Sequence, residues 1–150
     1  MKPRFSLPAT FPRSFALTLG CLLTFAASAG NWPAWRGEEG TGVATENNLP
    51  LRWSTNQNVR WHAPLAERGN STPIVWQQHV FITQSDGLRR TVMCFDRANG
   101  KLLWQTKLPA GSYATPAMYS INGRQYIVLA CGGEKFDTPL GNKIVAFALP

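Results

Sequence analysis

Cysteine is scarce in this chain, and the patterns that would put it to chemical use are missing. Only Cys21, Cys94 and Cys131 occur in 150 residues. No C-x-x-C or Cys/His spacing is present, which removes the usual zinc signatures. Histidine is rarer still, limited to His62 and His79. Neither has a Ser, Cys or second His at a spacing that suggests a catalytic triad. From residue 59 on, nothing of helical length and period appears, so nothing there reads as an amphipathic helix. The stretch ERGNS (67–71) has one glycine and no helix after it, which excludes a phosphate-binding loop. Clustered charge is also lacking. Fifteen Lys+Arg stand against eight Asp+Glu, and three of those cations lie in the first 13 residues. The excess beyond them, about four, is spread singly, with no basic stripe of the kind that binds nucleic acid.

What is present begins with a leader-like segment. Residues 1–13 hold Lys2, Arg4 and Arg13 and no acid, followed by the apolar run SFALTLGCLLTFAASA (14–29). A basic start, a short apolar core and an A-x-A ending read as a secretory signal peptide. The run is too short, and too rich in Ala and Ser at its end, for a good membrane span. Residues 1–29 are therefore expected to be a signal peptide. The mature chain is expected to be periplasmic or secreted, with no stable membrane span after cleavage. An uncleaved anchor is the alternative. Lipidation at Cys21 would leave a very short apolar core, and Thr18 stands where a lipobox prefers Leu. Export would permit a Cys94–Cys131 bridge. Their apolar and glycine neighbours suit buried thiols equally well, and the sequence leaves the two open.

Residues 30–58 are rich in Gly, Pro, Asn and Glu and show no period, with Trp32, Trp35 and Trp53 as large apolar anchors. They read as an extended arm pinned by tryptophans. From residue 59 the pattern changes to short β-branched or aromatic runs separated by turn residues: 59–65, 71–77, 79–84, 91–96, 101–108, 113–120, 124–132 and 143–149. Asn122-Gly123 between two such runs is a strong hairpin signal. The fold class is all-β.

The runs repeat. Setting WHAPLAERGNSTP (61–73) over WQTKLPAGSYATP (104–116) aligns Trp61 with Trp104, Leu65 with Leu108, Thr72 with Thr115 and Pro73 with Pro116, at a constant offset of 43. A repeat of about forty residues built from four short strands is the signature of a propeller blade. Further on, HVFIT matches RQYIV at an offset of 45 and MCFD matches VAFA at 52. The added residues predict a long loop within LACGGEKFDTPLGNK (129–143). Residues 59–150 thus form two repeat units, each an outer strand followed by three inner strands. A closed ring needs typically 4–8 blades, so the propeller is incomplete. A remnant that lost its central blades, an assembly of copies, and completion of another propeller protein are the three ways to account for this.

The stretch CFDRANGKLLWQ (94–105) is the most patterned in the chain. Asp96 can accept hydrogen bonds from turn N–H groups, and Gly100 suits a left-handed turn position. Lys101 opens the next strand. Trp104 recurs as Trp61, and recurrence at a fixed period argues for packing between blades rather than for catalysis. Thr72-Pro73 and Thr115-Pro116 read as strand starts. His62 alternates with Trp61 and so faces the opposite side.

CFDRANGKLLW resembles the AxDxxxGKxxW repeat of the pyrroloquinoline quinone (PQQ)-like β-propeller family, with Cys94 where a small Ala is common. Residues 31–76 resemble the start of secreted bacterial PQQ-like repeat proteins. Residues 113–150 resemble the closing blade of quinoprotein dehydrogenases of the glucose type. The resemblance implies PQQ with calcium if the chain is an enzyme, acting on sugar or alcohol CH–OH groups. In those enzymes the calcium ligands, the catalytic acid and most cofactor contacts lie in blades with no counterpart in this sequence. No catalytic, cofactor-binding or metal residue is carried over. Asp86, Glu134 and Asp137 remain as acids in or near loops, and Lys135, Asp137 and Asn142 sit in a loop that could touch a ligand or simply connect strands. The leading expectation is a non-catalytic extracytoplasmic interaction module or propeller remnant. A PQQ-dependent glucose or polyol dehydrogenase, or part of one, is the second. An outer-membrane assembly scaffold is the third, on fold analogy alone.

Overall fold

A computed structural model describes residues 30–66, 71–85 and 89–149. The leader-like segment 1–29 and Asp86 lie outside the described residues. The first sheet runs β1 (Ile74–Trp76), β2 (His79–Ser85), β3 (Arg90–Asp96) and β4 (Leu102–Lys107), paired in chain order. The second runs β5 (Ala117–Ile121), β6 (Arg124–Cys131) and β7 (Lys143–Ala148), again in chain order. Every pairing is antiparallel. The chain is all-β, as the alternating runs predict, and forms part of a propeller.

Turn chemistry sets the hairpins. Asn122 and Gly123 adopt φ of 50° and 76°, the two positive values that a tight two-residue turn requires. Ile121 then faces Arg124 and the β5–β6 register follows. β1 and β5 begin directly after Pro73 and Pro116, because proline has no N–H for a ladder and suits the position before a strand.

Alternation along the strands gives each sheet two faces. Ile74, Phe81, Val92 and Cys94 of the first sheet meet Ile127, Leu129 and Cys131 of the second in one buried cluster, closed by Leu108, Ala110 and Leu149. Burying a side chain of this size contributes about 1.5–3 kcal/mol. Trp104 on β4 joins the two sheets. Its ring centroid lies 6.2 Å from Phe81 and 6.0 Å from Phe147.

The arm crosses the free edges of both sheets. Trp32 exchanges backbone hydrogen bonds with Val75 at 2.8 and 2.9 Å, and Pro33 accepts one from Met118 at 2.9 Å. The Asn31 Oδ1 accepts a further bond from the Gln77 N–H at 2.7 Å. Trp35 and Trp53, expected as anchors, are instead 67% and 64% exposed, and the hold comes through backbone at Asn31–Pro33.

Residues 59–65 depart from expectation, since they form no strand. They have the composition of one, but a strand needs an edge to pair with, and β4 already has its place beside β3. Side chains hold the segment instead. The Arg60 Nε donates to Ala98 O at 2.9 Å and the Trp61 Nε1 to Arg97 O at 2.8 Å. The first sheet thus holds four strands and the second three.

Candidate functional site

The corner between β3 and β4 is the most heavily bonded turn in the motif. Asp96 Oδ1 accepts from the backbone N–H of Ala98 at 2.7 Å and of Asn99 at 3.2 Å. Asn99 Oδ1 accepts from Lys101 N–H at 2.9 Å. Backbone bonds from Gly100 N to Asp96 O and from Asp96 N to Lys101 O, at 2.9 and 2.8 Å, close the loop. One carboxylate oxygen of Asp96, Oδ1, is therefore taken up by two turn amides. Gly100 has φ of 74°, and the place its Cβ would take is 2.5 Å from the Trp61 ring. The indole fits because no side chain is there. Lys101 is exposed at the start of β4.

The opposite end of the sheets gathers the longer connections. Ser71 Oγ accepts from the Thr83 N–H at 2.8 Å, and Thr83 Oγ1 donates to Ser112 O at 3.1 Å. Ser85 Oγ donates to the same carbonyl at 3.4 Å and accepts from Ser112 N–H at 3.1 Å. This network ties the end of β2 to the β4–β5 connection. Small hydroxyl residues at strand ends carry no spacing signal, and the sequence did not single them out. Ser112 Oγ and Arg90 Nε are buried without a hydrogen-bond partner.

The long loop predicted between the last two strands is present, from Gly132 to Asn142 with a helical turn at Lys135–Asp137. It is packed down rather than open. The Tyr113 hydroxyl bonds to Thr138 Oγ1 at 2.7 Å and also to Lys135 O, and Thr138 Oγ1 donates to Lys135 O at 2.8 Å. Lys135 Nζ lies 5.8 Å from the Tyr113 ring centroid, within cation–π range. Glu134, Asp137 and Asn142 are exposed on this loop. Thr72 and Thr115 are half-buried, and Pro116 is buried beside the core.

The cysteine question resolves in favour of thiols. Cys94 and Cys131 are both free and buried. Burial, then the charge of Asp96, pushes the Cys94 thiol up to about 11, and burial raises Cys131 as well. Neither is a ready nucleophile near neutral pH.

Calcium supporting a quinone takes six to eight oxygen ligands, several of them carboxylates. Among the described residues no group of three or more His, Cys, Asp or Glu stands close enough to hold a metal ion. Asp96 is committed to its turn, and Glu46 accepts from Gly30 N–H at 3.0 Å in the arm. The donor set of the described residues does not fit calcium, and no step is routed through these residues.

Comparison with known proteins places the chain. The family model described as "Glucose/ethanol/alcohol dehydrogenase, beta-propeller domain", of the PQQ type, matches residues 30–127. The quinoprotein glucose dehydrogenase A of Acinetobacter calcoaceticus is 49% identical over 69 residues, 45% of this chain and 8% of that protein. The Escherichia coli quinoprotein glucose dehydrogenase is 51% identical over 57 residues, covering 37% and 7%. The glycerol dehydrogenase large subunit of Gluconobacter oxydans is 29% identical over 99 residues, covering 65% and 13%. The chain thus matches only a small part of the length of each of these relatives. With the two antiparallel sheets and the repeated tryptophan motif, the match over residues 30–127 means that the chain belongs to the PQQ-type β-propeller family of the glucose, ethanol and alcohol dehydrogenases.

Proposed function

We propose that these two blade units form a non-catalytic, extracytoplasmic interaction module built from PQQ-type propeller repeats. The observation that carries this reading is the use made of the motif residues. Asp96 spends its Oδ1 on turn amides, Gly100 makes room for an indole, and Trp61 and Trp104 join neighbouring elements. Each conspicuous side chain works inside the scaffold. The leader-like segment supports a place outside the cytoplasm, periplasmic or secreted. Among the described residues no helix is long and apolar enough to cross a membrane.

The second reading, part of a PQQ-dependent dehydrogenase acting on sugar or polyol, draws on the quinoprotein relatives. PQQ would be its cofactor. One experiment separates the two. The purified full chain is titrated with PQQ and calcium while tryptophan fluorescence is followed, and dye-linked oxidation of glucose and glycerol is measured alongside. The module reading expects neither saturable quenching nor turnover. Turnover would overturn it and assign the chain to dehydrogenase chemistry.

A further inference from the structure

The two sheets are copies of one unit, so their faces correspond. Matched by ladder partners, Ile74, Phe81, Thr83, Val92 and Cys94 of the first sheet correspond to Ala117, Val128, Ala130, Ile144 and Ala146 of the second. In the first sheet this set is the face packed against the second sheet. In the second sheet the same set is the outer face, left open, with Ile144 at 78% exposure. The reverse face of the second sheet, with Ile127, Leu129, Val145 and Phe147, corresponds to Val80, Ile82, Met93 and Phe95 on the outer face of the first. That face carries an apolar hollow of ≈ 130 Å³ lined by Trp61, Leu65, Val80, Ile82 and Phe95. A cleft of ≈ 360 Å³ adjoins it, beside Gln84, Met93 and Phe95. The chain therefore carries both halves of the interface that already joins its own sheets, one on each outer face.

The edges match in the same way. Segment 59–65 corresponds to β4 but has no ladder partner, while β7 has a free edge where its own β4 would lie. Trp61 is held against the first sheet, and Trp104 bridges toward the second. Each is the outer-strand tryptophan facing the next sheet.

We infer that copies of this chain associate head to tail, the open face of the second sheet of one copy covering the outer face of the first sheet of the next. Residues 59–65 of the second copy add to the free edge of β7 as its fourth strand. The inference rests on the module reading and names its partner. The register follows from the β3–β4 ladder, where Val92 faces Thr106 and Cys94 faces Trp104. Carried across by the offsets, Ile144 faces Ala63 and Ala146 faces Trp61 of the next copy. Strand addition supplies hydrogen bonds and the matched faces supply apolar burial. Such a heterologous contact closes when the rotation completes a ring. Three or four copies give the six or eight sheets of ordinary propellers.

The test uses the full chain purified after export. Size-exclusion chromatography with light scattering is expected to give a discrete trimer or tetramer. The exposed Ile144→Asp change is expected to reduce it to monomer with an unchanged far-UV circular dichroism spectrum. A chain carrying both Ile144→Cys and Ala63→Cys is expected to form a covalent ladder on a non-reducing gel. The slipped pair Ile144→Cys with His62→Cys is expected to form none. A monomer, a face-to-face dimer, a polydisperse aggregate or equal ladders from both pairs each overturn the inference. A monomer that also fails to bind PQQ overturns assembly alone and leaves the module reading standing. Turnover with PQQ overturns the module reading whatever the mass.

Discussion

The indole of Trp61 lies against Gly100, 39 residues further along the chain, and its Nε1–H reaches the carbonyl of Arg97 at 2.8 Å. One contact thus joins the outer-strand tryptophan of one repeat to the turn of the next. It explains why a tryptophan and a glycine occupy these positions. The glycine has both a left-handed backbone and a flat ring where a Cβ would go.

Gly100→Ala is expected to cost about 1–3 kcal/mol, from backbone strain together with displacement of the indole. Urea unfolding followed by tryptophan fluorescence measures it. Trp61→Phe keeps most of the apolar contact and loses the bond to Arg97 O, for a smaller loss of about 0.5–1.5 kcal/mol. The order of the two changes is the check.

Asp96→Ala removes the acceptor for two turn amides and is expected to destabilise by about 1–2 kcal/mol. Asp96→Asn keeps an oxygen in the same place and should recover at least half of that loss. If the two variants were equally damaging, the carboxylate's role would lie outside the turn.

Cys94 gives a pH dependence with a definite sign. Its thiol holds its proton more tightly in the fold, at about 11, than at the ordinary value of 9.0. Its contribution to stability is complete below pH 9 and is lost as pH rises through about 11. Urea midpoints between pH 8 and 11 are expected to fall, and Cys94→Ala should flatten the decline. Modification of the native chain by a thiol reagent at pH 8 should be slow and should accelerate on unfolding.

Tyr113→Phe removes the bonds to Thr138 Oγ1 and Lys135 O that fasten the loop after β6. Amide hydrogen exchange is expected to speed up within Gly132–Asn142 while β2 and β3 remain unchanged. Uniform acceleration across both sheets would mean that the loop is part of the global folding unit.

Much of the candidate site was legible in advance because its chemistry is local. The Asp96 turn needs only residues 96–101, and the Asn122-Gly123 turn only its neighbours. The Ser71–Thr83–Ser85–Ser112 network was not legible. Its members lie far apart in sequence, and hydroxyl residues near strand ends look alike whether they face solvent or one another.

The sequence alone determined the all-β class, the two repeat units, the family and the identity of the hairpin corner. Periodicity of two, turn residues and a repeat at a constant offset are properties of neighbouring positions. The tertiary structure decided what depends on partners. It showed that 59–65 is held by side chains rather than a ladder, because strand pairing requires an edge. It left Cys94 and Cys131 as free thiols in the core between the sheets. It carried the arm's attachment through Trp32 and Pro33 backbone and left Trp35 and Trp53 exposed. It also set one apolar face in the core and left its counterpart open, because the face a strand buries is determined by which sheet lies beside it.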